Sequence, residues 1–143
     1  MTVEILVKKM NHDAFLPRFA YHDDAGADLF ALESTEIKPY QTIKVRHGIS
    51  IELPEGYFAE IRPRSGLSSK GITIANAPGT IDPQYRGELM TLLRNNTNKN
   101  YLVNKGDRVS QIRIQKIYQT KFIEVSELSE TTRGESGFGS TGT

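Results

Sequence analysis

Thr42-Ile43-Lys44-Val45-Arg46-His47-Gly48-Ile49-Ser50-Ile51-Glu52-Leu53-Pro54-Glu55-Gly56 decides the fold class of this chain. Ile43, Val45, Ile49, Ile51 and Leu53 recur with period two until Pro54-Glu55-Gly56 turns the backbone. Successive side chains of a strand point to opposite faces, so this alternation marks half-buried strands rather than a helix. Working outward, Tyr57 to Arg62, Glu88 to Arg94, Val109 to Ile117 and Phe122 to Val125 read as further strands. Lys38-Pro39, Asn95-Asn96 and Asn104-Lys105-Gly106-Asp107 supply turns between them. Only Ser65 to Lys70 reads as helical, one or two turns long, with proline before it and glycine after it. The expectation is an all-β single domain, a distorted jelly roll or β-barrel-like body with one short helix and a C-terminal arm. The body is expected over residues 1–129 and a flexible arm over 130–143.

The bulk properties narrow the function. At 143 residues the chain suits one domain. Lys+Arg is 18 against Asp+Glu 17, so no net field draws it to nucleic acid or membrane, and neither is expected as a partner. With no cysteine, disulfides and thiolate metal sites are excluded. His12, His22 and His47 lack zinc-ligand spacing and read as surface or turn residues. The N-terminal apolar run is too short for a signal peptide, and no stretch approaches a membrane span. A cytoplasmic location is expected.

Polar, glycine-rich clusters interrupt the strand pattern. Ala25-Gly26-Ala27-Asp28-Leu29 offers a carboxylate that could hold an arginine or a hydrated metal, or simply cap a turn. Arg62-Pro63-Arg64-Ser65-Gly66-Leu67 places Ser65 at a helix start, either an anion site or an ordinary serine cap. Asn76-Ala77-Pro78-Gly79-Thr80-Ile81-Asp82-Pro83-Gln84-Tyr85-Arg86-Gly87-Glu88 reads as a hairpin loop of fixed shape. Its Asp82 could accept a proton from water, and Tyr85 could stack on a sugar or base. Gly106-Asp107-Arg108-Val109-Ser110-Gln111 puts an amide donor on a strand.

The chain ends Arg133-Gly134-Glu135-Ser136-Gly137-Phe138-Gly139-Ser140-Thr141-Gly142-Thr143, with four of its twelve glycines. Gly137 to Gly142 is a literal G-x-G-x-x-G, but the strand, helix and downstream acid of a dinucleotide fold are missing around it. Taken alone, the segment is a frayed terminus or a phosphate-binding loop that must fold over something else.

Together, and in this order, the five clusters resemble the motif set of the homotrimeric dUTP pyrophosphatase (dUTPase) family, over positions 25 to 141. The resemblance implies a jelly-roll homotrimer that hydrolyses dUTP to dUMP and pyrophosphate with Mg²⁺, limiting uracil incorporation into DNA and supplying dUMP for thymidylate synthesis. Each active site would draw its first, second and fourth motifs from one chain, the third from a neighbour and the tail from the third chain. Asp82 would be the general base, and Asp28 would hold Mg²⁺ through water. Arg64, Ser65, Gly66 and Gln111 would position the phosphates. Asn76, Gly79, Thr80, Ile81 and Met90 would frame the uracil, with Tyr85 under the sugar. Arg133, Phe138, Gly139, Ser140 and Thr141 would close over the bound nucleotide.

Two details depart from the family pattern: the turn at Gly71 is one residue shorter, and Ser110 and Ile112 flank Gln111 where Ala and Met are more frequent. A dCTP deaminase of the same fold is the alternative enzyme, and a nucleotide-gated signalling or binding module is the alternative outside enzymes.

Overall fold

A computed structural model describes residues 1–142, eleven strands and one four-residue helix, so the fold is all-β as expected. Thr143, the last residue of the expected arm, lies outside the described residues. The strands are β1 (Leu6–Lys9), β2 (Ala27–Phe30), β3 (Thr35–Ile37), β4 (Thr42–Arg46), β5 (Ile49–Glu52), β6 (Tyr57–Arg62), β7 (Ile72–Ile74), β8 (Gly79–Ile81), β9 (Met90–Asn95), β10 (Tyr101–Val103) and β11 (Arg108–Lys116).

The nine-residue β11 is the spine. It pairs with β2 on one side and β6 on the other, and β8 extends the sheet beyond β6. A second sheet has the order β4-β9-β7, and β1 with β5 and β3 with β10 form two-stranded pairs. Every pairing is antiparallel. Such sheets bury one face and leave the other wet, which is why alternation was visible in the sequence. Leu29, Ile37, Ile49, Ile61, Ile72, Leu93 and Val103 meet in one core. Truncating a fully buried leucine or isoleucine of this set to alanine should cost about 2–5 kcal/mol.

The helix α1 (Ser65–Ser68) starts where expected and ends sooner. Arg64 is extended after Pro63, and turn bonds from Lys70 to Leu67 and from Gly71 to Ser68 finish the segment. Gly71 has φ 83°, a left-handed conformation that stops the helix.

Three expectations need correction. Phe122–Val125 forms no strand, and the chain from Ile117 through Ser136 is exposed, with Phe122 95% exposed. Its alternation is real, but among the described residues no strand pairs with it to complete a ladder. The segment from Asn76 to Glu88 is not a hairpin closed by its own flanks, since β8 pairs with β6 while β9 pairs with β4 and β7. It is a fixed crossover between two sheets. Finally, His47 sits in a turn but is buried, with both ring nitrogens within hydrogen-bond distance of internal partners. Among the described residues no helix is long and apolar enough to cross a membrane.

Candidate active site

Register brings the first, second and fourth clusters together. On β11, Gln111 lies opposite Asp28 of β2 and opposite Arg62 of β6, so one cross-strand row carries Asp28, Gln111 and the entry to α1. Gln111 donates from Nε2 to the Pro63 carbonyl at 3.0 Å. Arg64 donates from Nη1 to the Arg108 carbonyl at 3.1 Å. These bonds tie the loop before α1 to β11. Asp28, Arg64, Ser65, Gly66, Arg108 and Gln111 line an open cleft of about 320 Å³, with Asp24 and Gly26 on its rim.

Charge in the cleft is arranged around one carboxylate. Asp28 is mostly buried and accepts Arg64 Nε at 3.2 Å, with Arg108 Nη1 at 3.7 Å from its other oxygen. Two guanidiniums so held leave donors for a polyanion, which they can meet as forks. Asp28 is compensated by them and is not one of a ligand cage. Among the described residues, no group of three His, Cys, Asp or Glu could hold an ion. This donor set fits Mg²⁺ that keeps its waters and rides on a ligand's phosphates, a habit of that cation.

The remaining candidates stand apart from this cleft. Gly79 pairs with Ile61 and Ile81 with Ala59, so Asp82 leaves the sheet about four residues, roughly 13 Å, from the Gln111 row. The segment around it is braced from within. Tyr85 donates its hydroxyl to the Glu88 carbonyl at 2.9 Å, and its ring fills the space that a side chain at Gly87 would need. Arg86 donates to the Pro83 carbonyl at 2.7 Å. Asn76 packs near Gly79, and the Ala77–Pro78 peptide is cis. Thr80, Asp82, Tyr85 and Met90 are exposed, and Ile81 is half-buried. At its far end Glu88 accepts Arg46 bidentately, at 2.9 Å for each bond, which holds the Glu88 carboxyl below the usual carboxylate range.

The tail is the third separate piece. Arg133 donates from Nε to the Ser136 carbonyl at 2.8 Å, and the remaining bonds of this segment are equally local. Phe138 is fully exposed with φ 51°, and Gly139, Ser140 and Thr141 are exposed beside it. Arg133 and Phe138 therefore approach neither Asp28 nor Asp82 through any bond or ring contact of this chain.

Sequence reasoning overlooked two residues of the cleft. Arg108 flanks Asp28 because β11 is bulged between Arg108 and Ser110, which re-aims it. Its place three residues before Gln111 was the available signal. Gly26 abuts the Gln111 side chain, and only its position two residues before Asp28 hinted at a role.

Comparison with known proteins identifies the family of this chain. A family model described as dUTPase matches residues 12–142. A protein named deoxyuridine 5′-triphosphate nucleotidohydrolase from a Hydrogenobaculum species is 46% identical over 98% of this chain and 99% of its own length. The protein of the same name from Clostridium tetani is 49% identical over 95% of this chain and 94% of its own. The solved dUTPase of Staphylococcus bacteriophage 80alpha with dUPNHPP has a TM-score of 0.90 and 28% identity, covering 99% of this chain and 100% of that one.

Proposed function

Because this chain belongs to the dUTPase family, it is an enzyme that hydrolyses dUTP, and we propose that it does so at a site which one chain only partly builds. The observation that carries this reading is the separation just described. The cleft of Asp28, Arg64, Ser65, Gly66 and Gln111 is formed within one chain, while Asp82 leaves the same sheet far from it and the tail touches neither. A homotrimer in which neighbours lend the 76–90 segment and the tail would complete three equal sites.

In the proposed site Arg64, the Ser65 hydroxyl, the Gly66 backbone and the Gln111 amide grip the triphosphate and hold it in line for attack. Asp82, from a neighbouring chain, orients a water and takes its proton as the water adds to the α-phosphorus. Pyrophosphate leaves and dUMP remains. Asp28 would hold a hydrated Mg²⁺ beside the phosphates, and the ion would supply charge neutralisation for the leaving group. Arg133 and the Gly139-Ser140-Thr141 stretch then cover the γ-phosphate, while Phe138 stacks on the base and excludes water.

Selectivity follows from the braced 76–90 segment. Backbone groups from Asn76, Gly79, Thr80, Ile81 and Met90 pair with the uracil edge, and cytosine would leave some of them buried and unpaired. The Tyr85 ring, pinned by its hydroxyl and by Gly87, forms a floor for the sugar that a ribose 2′-hydroxyl would strike. The same reading includes a cytoplasmic location, and a role in keeping uracil out of DNA while providing dUMP.

Pyrophosphate release from dUTP, dCTP, dTTP and UTP with Mg²⁺, beside a native mass, tests the reading. Release from dUTP alone and a mass of three chains are expected. Ammonia from dCTP would favour the deaminase alternative, and binding of dUTP without any turnover would favour a nucleotide-gated module.

A further inference from the structure

His47, Thr91 and Ser110 make a buried polar chain behind the cleft. All three are at most 1% exposed. His47 Nδ1 lies 2.8 Å from the Phe30 carbonyl oxygen, and Nε2 lies 2.7 Å from Thr91 Oγ1. Thr91 Oγ1 lies 2.8 Å from Ser110 Oγ. A carbonyl only accepts, so Nδ1 must carry a proton. Burial disfavours the imidazolium and lowers the His47 pKa, so Nε2 is bare and accepts from Thr91. The Thr91 oxygen, with its own hydrogen directed to His47 Nε2, accepts from Ser110. One backbone carbonyl thus sets the direction of every bond.

The chain ends one residue from Gln111, at the irregular point of β11. Arg108 lies opposite Phe30 and Ser110 opposite Leu29, so Val109 is the extra residue of a bulge. Register is least secure at such a point, and a one-residue slip would turn Gln111 inward and Ser110 outward. We propose that His47 is a positioning residue: the relay Ser110 to Thr91 to His47 to Phe30 pins β11 beyond its bulge and keeps the Gln111 amide in the cleft. It also ties β11 to β9, whose first residue Met90 borders the base-reading segment, and to β2 two residues past Asp28. This rests on reading Gln111 as a phosphate-positioning group.

The test uses the full chain with Mg²⁺ and the non-hydrolysable analogue dUpNHpp, with affinity read by calorimetry. Thr91→Val keeps the branched shape but breaks the relay, and should weaken binding about tenfold. Thr91→Ser loses a methyl but keeps the hydroxyl, and should stay within about twofold of wild type. In a Gln111→Ala background, Thr91→Val should add nothing, because its effect runs through that amide. Nitrogen-15 shifts should identify His47 as the Nδ1–H tautomer at neutral pH. An unaffected Thr91→Val, a Thr91→Ser as weak as the valine variant, additive losses with Gln111→Ala, or an Nε2–H or imidazolium His47 would each overturn the proposal. A wild-type protein that binds no dUTP analogue would instead sink the hydrolase reading and take this proposal's ligand with it.

Discussion

The Gln111 side chain fills the space in front of Gly26 that a Cβ there would need. Gly26 is free of positive φ, so its value is steric and not conformational. Gly26→Ala should therefore swing the amide off the Pro63 carbonyl and out of the cleft. We expect kcat/KM for dUTP to fall about 10- to 100-fold with a stability loss of only about 1 kcal/mol. Steady-state kinetics beside a thermal melt would check this. In a Gln111→Ala background the glycine change should cost nothing further, and a full additional loss would show that Gly26 acts elsewhere.

Asp82→Asn removes the proposed base while keeping size and most hydrogen bonding. Turnover should drop about 10²- to 10⁴-fold, with affinity for a non-hydrolysable analogue held within about threefold. An equal loss in binding and turnover would make Asp82 a ligand-holding group instead.

The legible parts of this molecule are those where one chain supplies both partners of a contact. Tyr57 to Arg62 and Val109 to Ile117 were readable because β6 and β11 pair with each other and each buries one face. Phe122 to Val125 carries the same alternation and forms no strand, since period two reports a face in need of cover and cannot say which chain provides it. Short strands such as Ile72–Ile74 and Gly79–Ile81 hold too few residues to show a period. Asp28, Arg64, Ser65, Gly66 and Gln111 were found as polar islands among strands, and the β11 register then gathered them. His47 was misread because a lone histidine in a turn has no sequence signal for burial, and its partners Thr91 and Ser110 are 44 and 63 positions away.

Acid should act on stability through His47 before it reaches the carboxylates. Burial lowers the His47 pKa from 6.5, against smaller opposing effects of the Phe30 carbonyl and the Glu88 charge. The unfolded chain then takes up a proton near pH 6.5 that the folded chain refuses. The stabilisation is complete above that pH and declines as pH falls toward the folded value, at up to about 1.4 kcal/mol per pH unit. Glu88, whose pKa is lowered by Arg46, keeps its full contribution above about 4.5 and loses it only as pH falls below that value, so the two windows separate. Melting temperatures from pH 7.5 to 5.0 should decline in the wild type, and this limb should be missing in His47→Asn. The same slope in both proteins would remove His47 as its source.

Mixing two inactive chains tests whether the separated pieces come from different subunits. Truncation after Ser129 removes Arg133 and Phe138, and should leave a folded trimer with kcat/KM reduced about 10²-fold or more. A chain with Asp82→Asn keeps its tail and lacks the base. If each site takes its 76–90 segment from one neighbour and its tail from the other, it needs a truncated chain at the first place and an Asp82→Asn chain at the second. In any mixed three-fold ring only one of the three sites meets that condition. Equal amounts exchanged at random put about three-quarters of the rings in mixed form, so activity should recover to about one quarter of the wild-type level. Each protein alone should stay near its own background. Equilibrating the chains under conditions where native mass demonstrates exchange, then measuring pyrophosphate release against mixing ratio, gives the curve. A maximum near equal mixing supports sites shared among three chains. A flat line at background, with exchange demonstrated, would mean that Asp82 and the tail act from one subunit, and the separation between them would have to close within a single chain.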